Sequence, residues 1–141
     1  MTSVFSAVRN WIAGYQELPE DAPVWVNFLG EDPRQFSVMS VPGKTATEDI
    51  IGNKTIEYPF AFGSTESTAE NIERLSSVEF YEAFSEWLEE QTEAGNFPDF
   101  GTNRTVERIE ALDLATIIER TTDTGVYQIL CKLIYQEERR N

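Results

Sequence analysis

The chain has 141 residues, which predicts a single domain over 1–141 that can bury a core without metals or disulfides. It carries 25 acidic and 11 basic residues, for a formal net charge of -14, and it contains no histidine. The acidic balance disfavours binding to nucleic acid or anionic membranes, and the missing histidine excludes Ser-His-Asp and Cys-His catalytic centres. The single cysteine, Cys131, excludes an internal disulfide and a cysteine-based metal site.

A helix, an extended segment and a hairpin are predicted in the first half of the chain. A helix is expected within residues 1–17, capped by Thr2 or Ser3. Its apolar residues recur at helical spacing: Phe5, Val8, Ile12 and Tyr15. An extended segment and a first hairpin are predicted over residues 24–62, and the second strand of the hairpin contains Pro59. Because proline lacks an N–H, this strand is expected at a sheet edge or with a bulge.

An acidic amphipathic helix is predicted over residues 76–94, after a polar loop at 63–75. Ser76 followed by Glu79 has the capping-box pattern, and Gly95 stands where a left-handed residue ends a helix. Apolar residues share one face: Phe80, Phe84, Trp87 and Leu88. Five glutamates, which we call the acidic stripe, occupy the other face: Glu79, Glu82, Glu86, Glu89 and Glu93. The stripe is a candidate interaction or lumen-facing surface; the alternative is an ordinary solvated helix face.

A second hairpin is predicted within residues 105–136, and the irregular phase of its first strand indicates a bulge. The connection is expected to hold a short helical turn at 114–120. The last strand, 126–135, is largely apolar on both faces, which is typical of a central strand. Cys131 lies on one of these faces and is expected to be a core residue rather than a nucleophile. Two main helices packed on one face of about four mainly antiparallel strands predict an α+β fold.

No motif for catalysis or cofactor binding is present. The glycines match neither the P-loop nor the dinucleotide-binding pattern. Adjacent acidic residues such as Glu89 and Glu90 are expected by chance in an acidic chain, and a glycosidase needs carboxylates that face each other across a cleft. We therefore expect no enzymatic activity, no cofactor and no metal site.

Several segments form a recognisable pattern in their order along the chain: Asn27-Phe28-Leu29-Gly30 with Phe36-Ser37-Val38, Tyr58 to Phe62 with Ser64, Asn71, residues 78–98, and residues 127–135. Together they resemble a family of small tail-completion proteins of siphophages that infect Gram-positive bacteria, often labelled minor capsid or minor structural proteins. The resemblance covers residues 24–136 and rests on structural rather than catalytic motifs.

The resemblance implies a tail terminator or neck protein of a bacteriophage virion, made in the host cytoplasm. Such proteins form a ring, usually a hexamer, which caps the tail tube and joins it to the connector or stopper protein on the head side. DNA passes through the ring without specific binding, and the family has no catalytic residues to transfer. The implied fold is a small α+β domain with helices on an antiparallel or mixed sheet.

The composition leaves a second interpretation open. An acidic interaction protein, such as an immunity protein or a DNA mimic, would use the acidic stripe to bind a basic partner. Neither interpretation involves a membrane, because no stretch approaches the ~18 continuous apolar residues of a membrane span. The N-terminus also lacks the basic and apolar regions of a signal peptide.

Overall fold

The structure is a computed structural model of the chain and describes residues 3–19 and 22–138. Within these residues the elements are α1 (Val4–Ile12), β1 (Val24–Val26), β2 (Gln35–Ser40), β3 (Thr45–Glu48), β4 (Lys54–Ser67), α2 (Asn71–Ala94), β5 (Arg104–Ala111), β6 (Thr116–Arg120) and β7 (Thr124–Glu137). They form one mixed sheet in the order β1-β2-β4-β7-β5, with β3 also beside β4 and β6 also beside β7. The α+β class is confirmed. The expected number of about four strands is wrong, because seven lie in the described part of the sheet.

Strands β4 and β7, each of 14 residues, form the centre of the sheet. They pair antiparallel along their whole length, from Lys54 opposite Glu137 to Ser67 opposite Thr124. Alternation places one set of buried side chains on an inner face: Phe60, Phe62, Ile129, Cys131 and Leu133. The predictions of a central last strand and of a buried Cys131 are confirmed.

Pro59 lies in the central strand β4, and the pairing of β4 with β7 runs through Pro59 without a register shift. Both alternatives predicted from this proline, an edge position and a bulge, are therefore wrong. On one side of β4, residues 60–65 pair with β2 and residues 54–57 pair with β3. Pro59 lies between these two paired segments, so neither β2 nor β3 needs a hydrogen bond from its backbone nitrogen. The predicted first hairpin is the β2–β4 pair, and its wide connection contains β3.

The connection between β5 and β7 contains β6 instead of the helical turn predicted at 114–120. Strand β6 pairs with β7 from Thr116 opposite Gln128 to Arg120 opposite Gly125. All its residues are exposed, so its sequence does not show the alternation of apolar and polar residues that marks a half-buried strand. The bulge predicted in the first strand of this hairpin is confirmed in β5, between 106 and 108.

Helix α2 begins at Asn71 rather than at residue 76, and β4 continues to Ser67 through the segment predicted as a loop. Glu70 is the N-cap, and its carboxylate and that of Glu73 form a reciprocal capping box. Ser76 consequently lies inside the helix. The predicted left-handed C-cap is confirmed at Gly95, with φ of 71°.

Helix α1 spans Val4–Ile12 and is shorter than the segment 1–17 predicted as helical. Ser3 caps it, since its Oγ accepts a hydrogen bond from the N–H of Ser6 at 3.3 Å. The other predicted cap, Thr2, lies outside the described residues.

The two helices share one hydrophobic core with the inner face of the sheet. Trp11 of α1 lies against Trp87 of α2, with ring centroids 4.5 Å apart. Phe84 of α2 in turn lies 4.6 Å from Phe62 of β4, between ring centroids. The apolar side of α2 thus faces the sheet and α1, which leaves its glutamates on the outside.

Candidate functional site

The thiol that could carry covalent chemistry is enclosed in the core. Cys131 is 0% exposed, and burial raises the pKa of its thiol. Burial also raises the pKa of Tyr81, which belongs to α2 and is buried against the sheet. Within residues 3–19 and 22–138, no group of three or more carboxylate or thiol side chains is placed to hold a metal ion.

The acidic stripe is exposed along the whole outer side of α2. The helix contains seven glutamates and one arginine, and positions three and four apart share a helix face. The members of the stripe border different depressions. Glu79 borders a cavity of about 790 Å³. Glu82 borders one of about 130 Å³. Glu89 and Glu93 border one of about 160 Å³. The stripe is therefore an extended charged surface and not a convergent site.

Tyr15, which follows α1, is buried close to several carboxylates. Burial raises the pKa of Tyr15 to about 12, and the charges of Glu17, Glu90 and Glu86 add to the effect. Glu86, which belongs to the acidic stripe, makes the smallest of these contributions.

A buried carboxylate, Glu66, lies at the end of β4 beside the 790 Å³ cavity. Glu66 is 2% exposed, and its Oε1 lies 3.0 Å from the guanidinium of Arg34. Ser64 donates to the other carboxylate oxygen at 2.6 Å, and its Oγ lies 2.5 Å from the hydroxyl of Tyr81. This network escaped the sequence analysis, which assigned residues 63–75 to a loop. A carboxylate needs such partners to be buried, and they lie 32 and 2 residues away in the chain.

Arg34 adopts an unusual backbone conformation to reach this position. Its φ is 65°, in the left-handed region that bulky residues rarely occupy. Its N–H donates to the carbonyl of Thr65 at 2.7 Å, and its guanidinium lies 5.0 Å from the ring centre of Phe36 and 5.3 Å from that of Phe80. The ion pair with Glu66 therefore attaches the turn before β2 to β4, and the contact with Phe80 attaches it to α2.

Large apolar side chains are exposed in four clusters on the described residues. The first lies at and after β1: Trp25, Val26 and Phe28. The second is the tip of the β3–β4 hairpin: Ile50 and Ile51. The third surrounds β6: Leu112, Leu114, Ile117 and Ile118. The fourth lies on the N-terminal part of α2: Ile72, Leu75 and Val78. Exposed apolar clusters commonly mark protein–protein contacts.

The edge of β1 is closed by a helix side chain. The guanidinium of Arg9, in α1, donates to the carbonyl oxygen of Val24 from Nε at 2.9 Å and from a terminal nitrogen at 2.7 Å. An incoming strand would need this carbonyl, so the apolar residues near β1 are exposed beside an edge that is blocked to strand addition.

Neither a protein-family model nor a curated protein matches this chain. In the part of the chain that the structure describes, no helix is both long and apolar enough to cross a membrane.

Proposed function

We propose that this chain is a structural virion protein of a bacteriophage, a tail terminator or neck component that assembles into a ring. The ring caps the tail tube and joins it to the connector or stopper on the head side, without enzymatic activity. Two things support the proposal: the ordered resemblance over residues 24–136, and an α+β fold with a mixed sheet of the kind that the family implies.

The observation that carries the proposal is that two of the exposed apolar clusters, the hairpin tip and the surface around β6, lie far apart along the sheet. The hairpin tip with Ile50 lies beyond the end of β4 where Lys54 pairs with Glu137. The β6 surface lies beside the opposite half of β7, where Thr116 pairs with Gln128. A two-fold dimer needs one self-complementary surface. Two different surfaces favour head-to-tail contacts, which close into a ring when the rotation permits.

The acidic stripe suits a channel for DNA or a docking surface. DNA carries about one negative charge per 1.7 Å of its axis, so basic residues around a narrow channel would retain it. A wall of carboxylates would let the duplex pass. On the outside of the ring, the same glutamates would dock a basic patch of the tube or connector protein.

An acidic interaction protein is the second candidate. The seven glutamates of α2 against one arginine favour it, because an immunity protein or DNA mimic presents such a surface to a basic enzyme. This function needs no assembly of the chain with itself.

Incubation of the purified chain with purified tail tubes, followed by electron microscopy, separates the two candidates. The tail function predicts a ring at the tube end and saturable co-sedimentation with tubes. Tubes that remain bare, together with tight one-to-one binding of a basic nuclease, would favour the interaction protein instead.

A further inference from the structure

The pocket of about 130 Å³ beside Glu82 lies where two of the exposed apolar clusters meet, between α2 and the β5–β6 connection. Its walls include Val78 from the cluster on α2 and Leu114 from the cluster around β6. Val78 is 43% exposed and Leu114 is 75% exposed. Tyr81 and Ile129 also line the pocket, and both are buried, so they form its floor. The pocket is therefore apolar at its base and flanked by apolar side chains that lie in solvent.

Two carboxylates line the same pocket: Glu82 of α2 and Asp113 of the β5–β6 connection. Both residues are exposed, and neither forms a salt bridge with another described residue. The carboxylate of Asp113 accepts a hydrogen bond from the N–H of Leu114 at 2.8 Å, which holds it beside the apolar wall. No described lysine or arginine lines the pocket. An apolar floor is thus combined with negative charge at the edge.

This combination fits a side chain that is both aliphatic and cationic. An apolar cavity of about 150 Å³ accommodates benzene, so the pocket has room for the aliphatic part of one side chain. Lysine and arginine bury their methylene stems along apolar surface and keep the charged group in a polar setting. An acidic side chain would meet Glu82 and Asp113 with like charge, and these carboxylates would also repel the phosphates of a nucleic acid.

We propose that this pocket is the docking point for a basic, amphipathic segment of a partner protein. A lysine or arginine of that segment places its stem in the pocket and its cation beside Glu82 and Asp113. Apolar neighbours in the segment cover Val78 and Leu114, which adds a hydrophobic contribution that charge alone does not provide. The proposal rests on the basic partner that both candidate functions share, and it identifies the part of α2 that this partner contacts.

A synthetic peptide tests the site without a natural partner. The probe is a fluorescein-labelled peptide of about 18 leucine and lysine residues arranged as an amphipathic helix, and its counterpart has glutamate in place of every lysine. Fluorescence anisotropy with the full chain at about 0.15 M salt measures binding. We expect saturable one-to-one binding of the lysine peptide and no binding of the glutamate peptide. Absence of binding of the lysine peptide to the wild type would overturn the proposal.

Charge-neutralising variants locate the bound peptide. Glu82→Gln/Asp113→Asn should weaken binding of the lysine peptide about fivefold, because two ion pairs are lost. The matched control Glu89→Gln/Glu93→Gln also removes two charges, but these residues lie about 10 and 16 Å from Glu82 along the helix axis, beyond the ~8 Å screening length at this salt. The control should therefore change the affinity by less than about twofold. Equal losses in the two variants would show general attraction to an acidic surface and would contradict the proposed site.

An apolar variant tests the hydrophobic part of the contact. Leu114→Ser should weaken binding about tenfold while both carboxylates stay in place. The control Ile50→Ser removes an exposed apolar side chain of the same size from the β3–β4 hairpin, outside the pocket, and should leave the affinity unchanged. Circular dichroism checks that both variants are folded, as expected for exposed positions. An unchanged affinity of Leu114→Ser would mean that the pocket is not the binding site.

Purified tail tubes separate the failure of this proposal from the failure of the tail function. If the wild type caps the tubes but does not bind the lysine peptide, the docking point is wrong and the tail function stands. If the lysine peptide binds and is lost in the pocket variants while the tubes remain bare, the docking point stands and the tail function is wrong.

Discussion

Thr92 of α2 binds both backbone groups of Ile109 in β5. Its Oγ1 donates to the carbonyl oxygen of Ile109 at 3.0 Å and accepts from the N–H of Ile109 at 3.1 Å. Strand β5 lies at one end of the strand order, so this side chain occupies groups that an edge strand would otherwise offer to another chain. At the opposite end of the strand order, Arg9 of α1 donates to the carbonyl oxygen of Val24 in β1. Both helices therefore close a sheet edge as well as cover its face.

Replacement of this threonine should both destabilise the fold and open the β5 edge. Thr92→Val removes two hydrogen bonds while keeping the side-chain shape, and we expect a loss of about 1–3 kcal/mol in the free energy of unfolding. Urea titration measures the loss. Thr92→Ser keeps the hydroxyl and should lose less. Equal stability of wild type and Thr92→Val would show that the two bonds contribute nothing.

Removal of the cation at Arg34 should be costly because Glu66 is 2% exposed. We expect Arg34→Ala to lower the free energy of unfolding by about 3 kcal/mol, the lower end for a broken buried pair, since Arg34 itself is half exposed. In Arg34→Ala/Glu66→Gln no unpaired charge remains, and more than half of the loss should return. Urea titration of both variants decides. A double variant no more stable than Arg34→Ala would contradict the buried-charge explanation.

Stability should fall at alkaline pH. Burial raises the pKa values of the Cys131 thiol and of Tyr81, and raises the pKa of Tyr15 to about 12. The ordinary values are 9.0 for the thiol and 10.0 for the tyrosines, so the unfolded chain loses these protons first as the pH rises. The stability present below pH 9 is then lost progressively toward pH 12, by up to about 1.4 kcal/mol per pH unit for each group.

Urea titrations at pH 8, 9, 10 and 11 measure this dependence. Cys131→Ala should show a shallower decline between pH 9 and 10 than the wild type, because its unfolded state has no thiol to ionise. The same free energy of unfolding at pH 8 and pH 11 would contradict the assignment of these three groups to the core.

Charge reversal in the acidic stripe distinguishes its two proposed roles. In phage carrying Glu82→Lys, Glu86→Lys and Glu89→Lys, a stripe that faces the lumen should give assembled tails that eject DNA poorly. A stripe that docks a basic partner should leave heads and tails unjoined. Counts of joined particles and of ejected DNA give the answer. Normal assembly and infection would leave the stripe as an ordinary solvated helix face.

The spacing of apolar residues in the sequence predicted the strands and helices that have one buried face. It missed the elements that form only because they pair with a segment elsewhere in the chain. The last strand was recognisable because apolar residues such as Ile129 and Leu133 alternate along it. Strand β6 is exposed throughout and exists because it pairs with β7, so its residues carry no such pattern. The start of α2 was misplaced because Glu70 with Glu73 and Ser76 with Glu79 both fit a reciprocal cap, and only the structure selects the first.

The candidate surfaces were predictable to different degrees. The acidic stripe follows from helical spacing alone, and its five glutamates are exposed as that spacing requires. The pocket beneath Glu82 was not predictable, because it is formed by α2, the β5–β6 connection and Ile129, which meet only in the folded sheet.

The mass of the purified full chain in solution, from size-exclusion chromatography with light scattering, tests the ring most directly. Measurements at about 0.15 M and 0.5 M salt are needed, because the charge of -14 opposes assembly and salt screens charges beyond about 8 Å at the lower concentration. We predict a closed assembly, six times the 16.1 kDa of one chain, that is favoured at the higher salt. A mass of 16.1 kDa at both salts and in the presence of tail tubes would contradict the account.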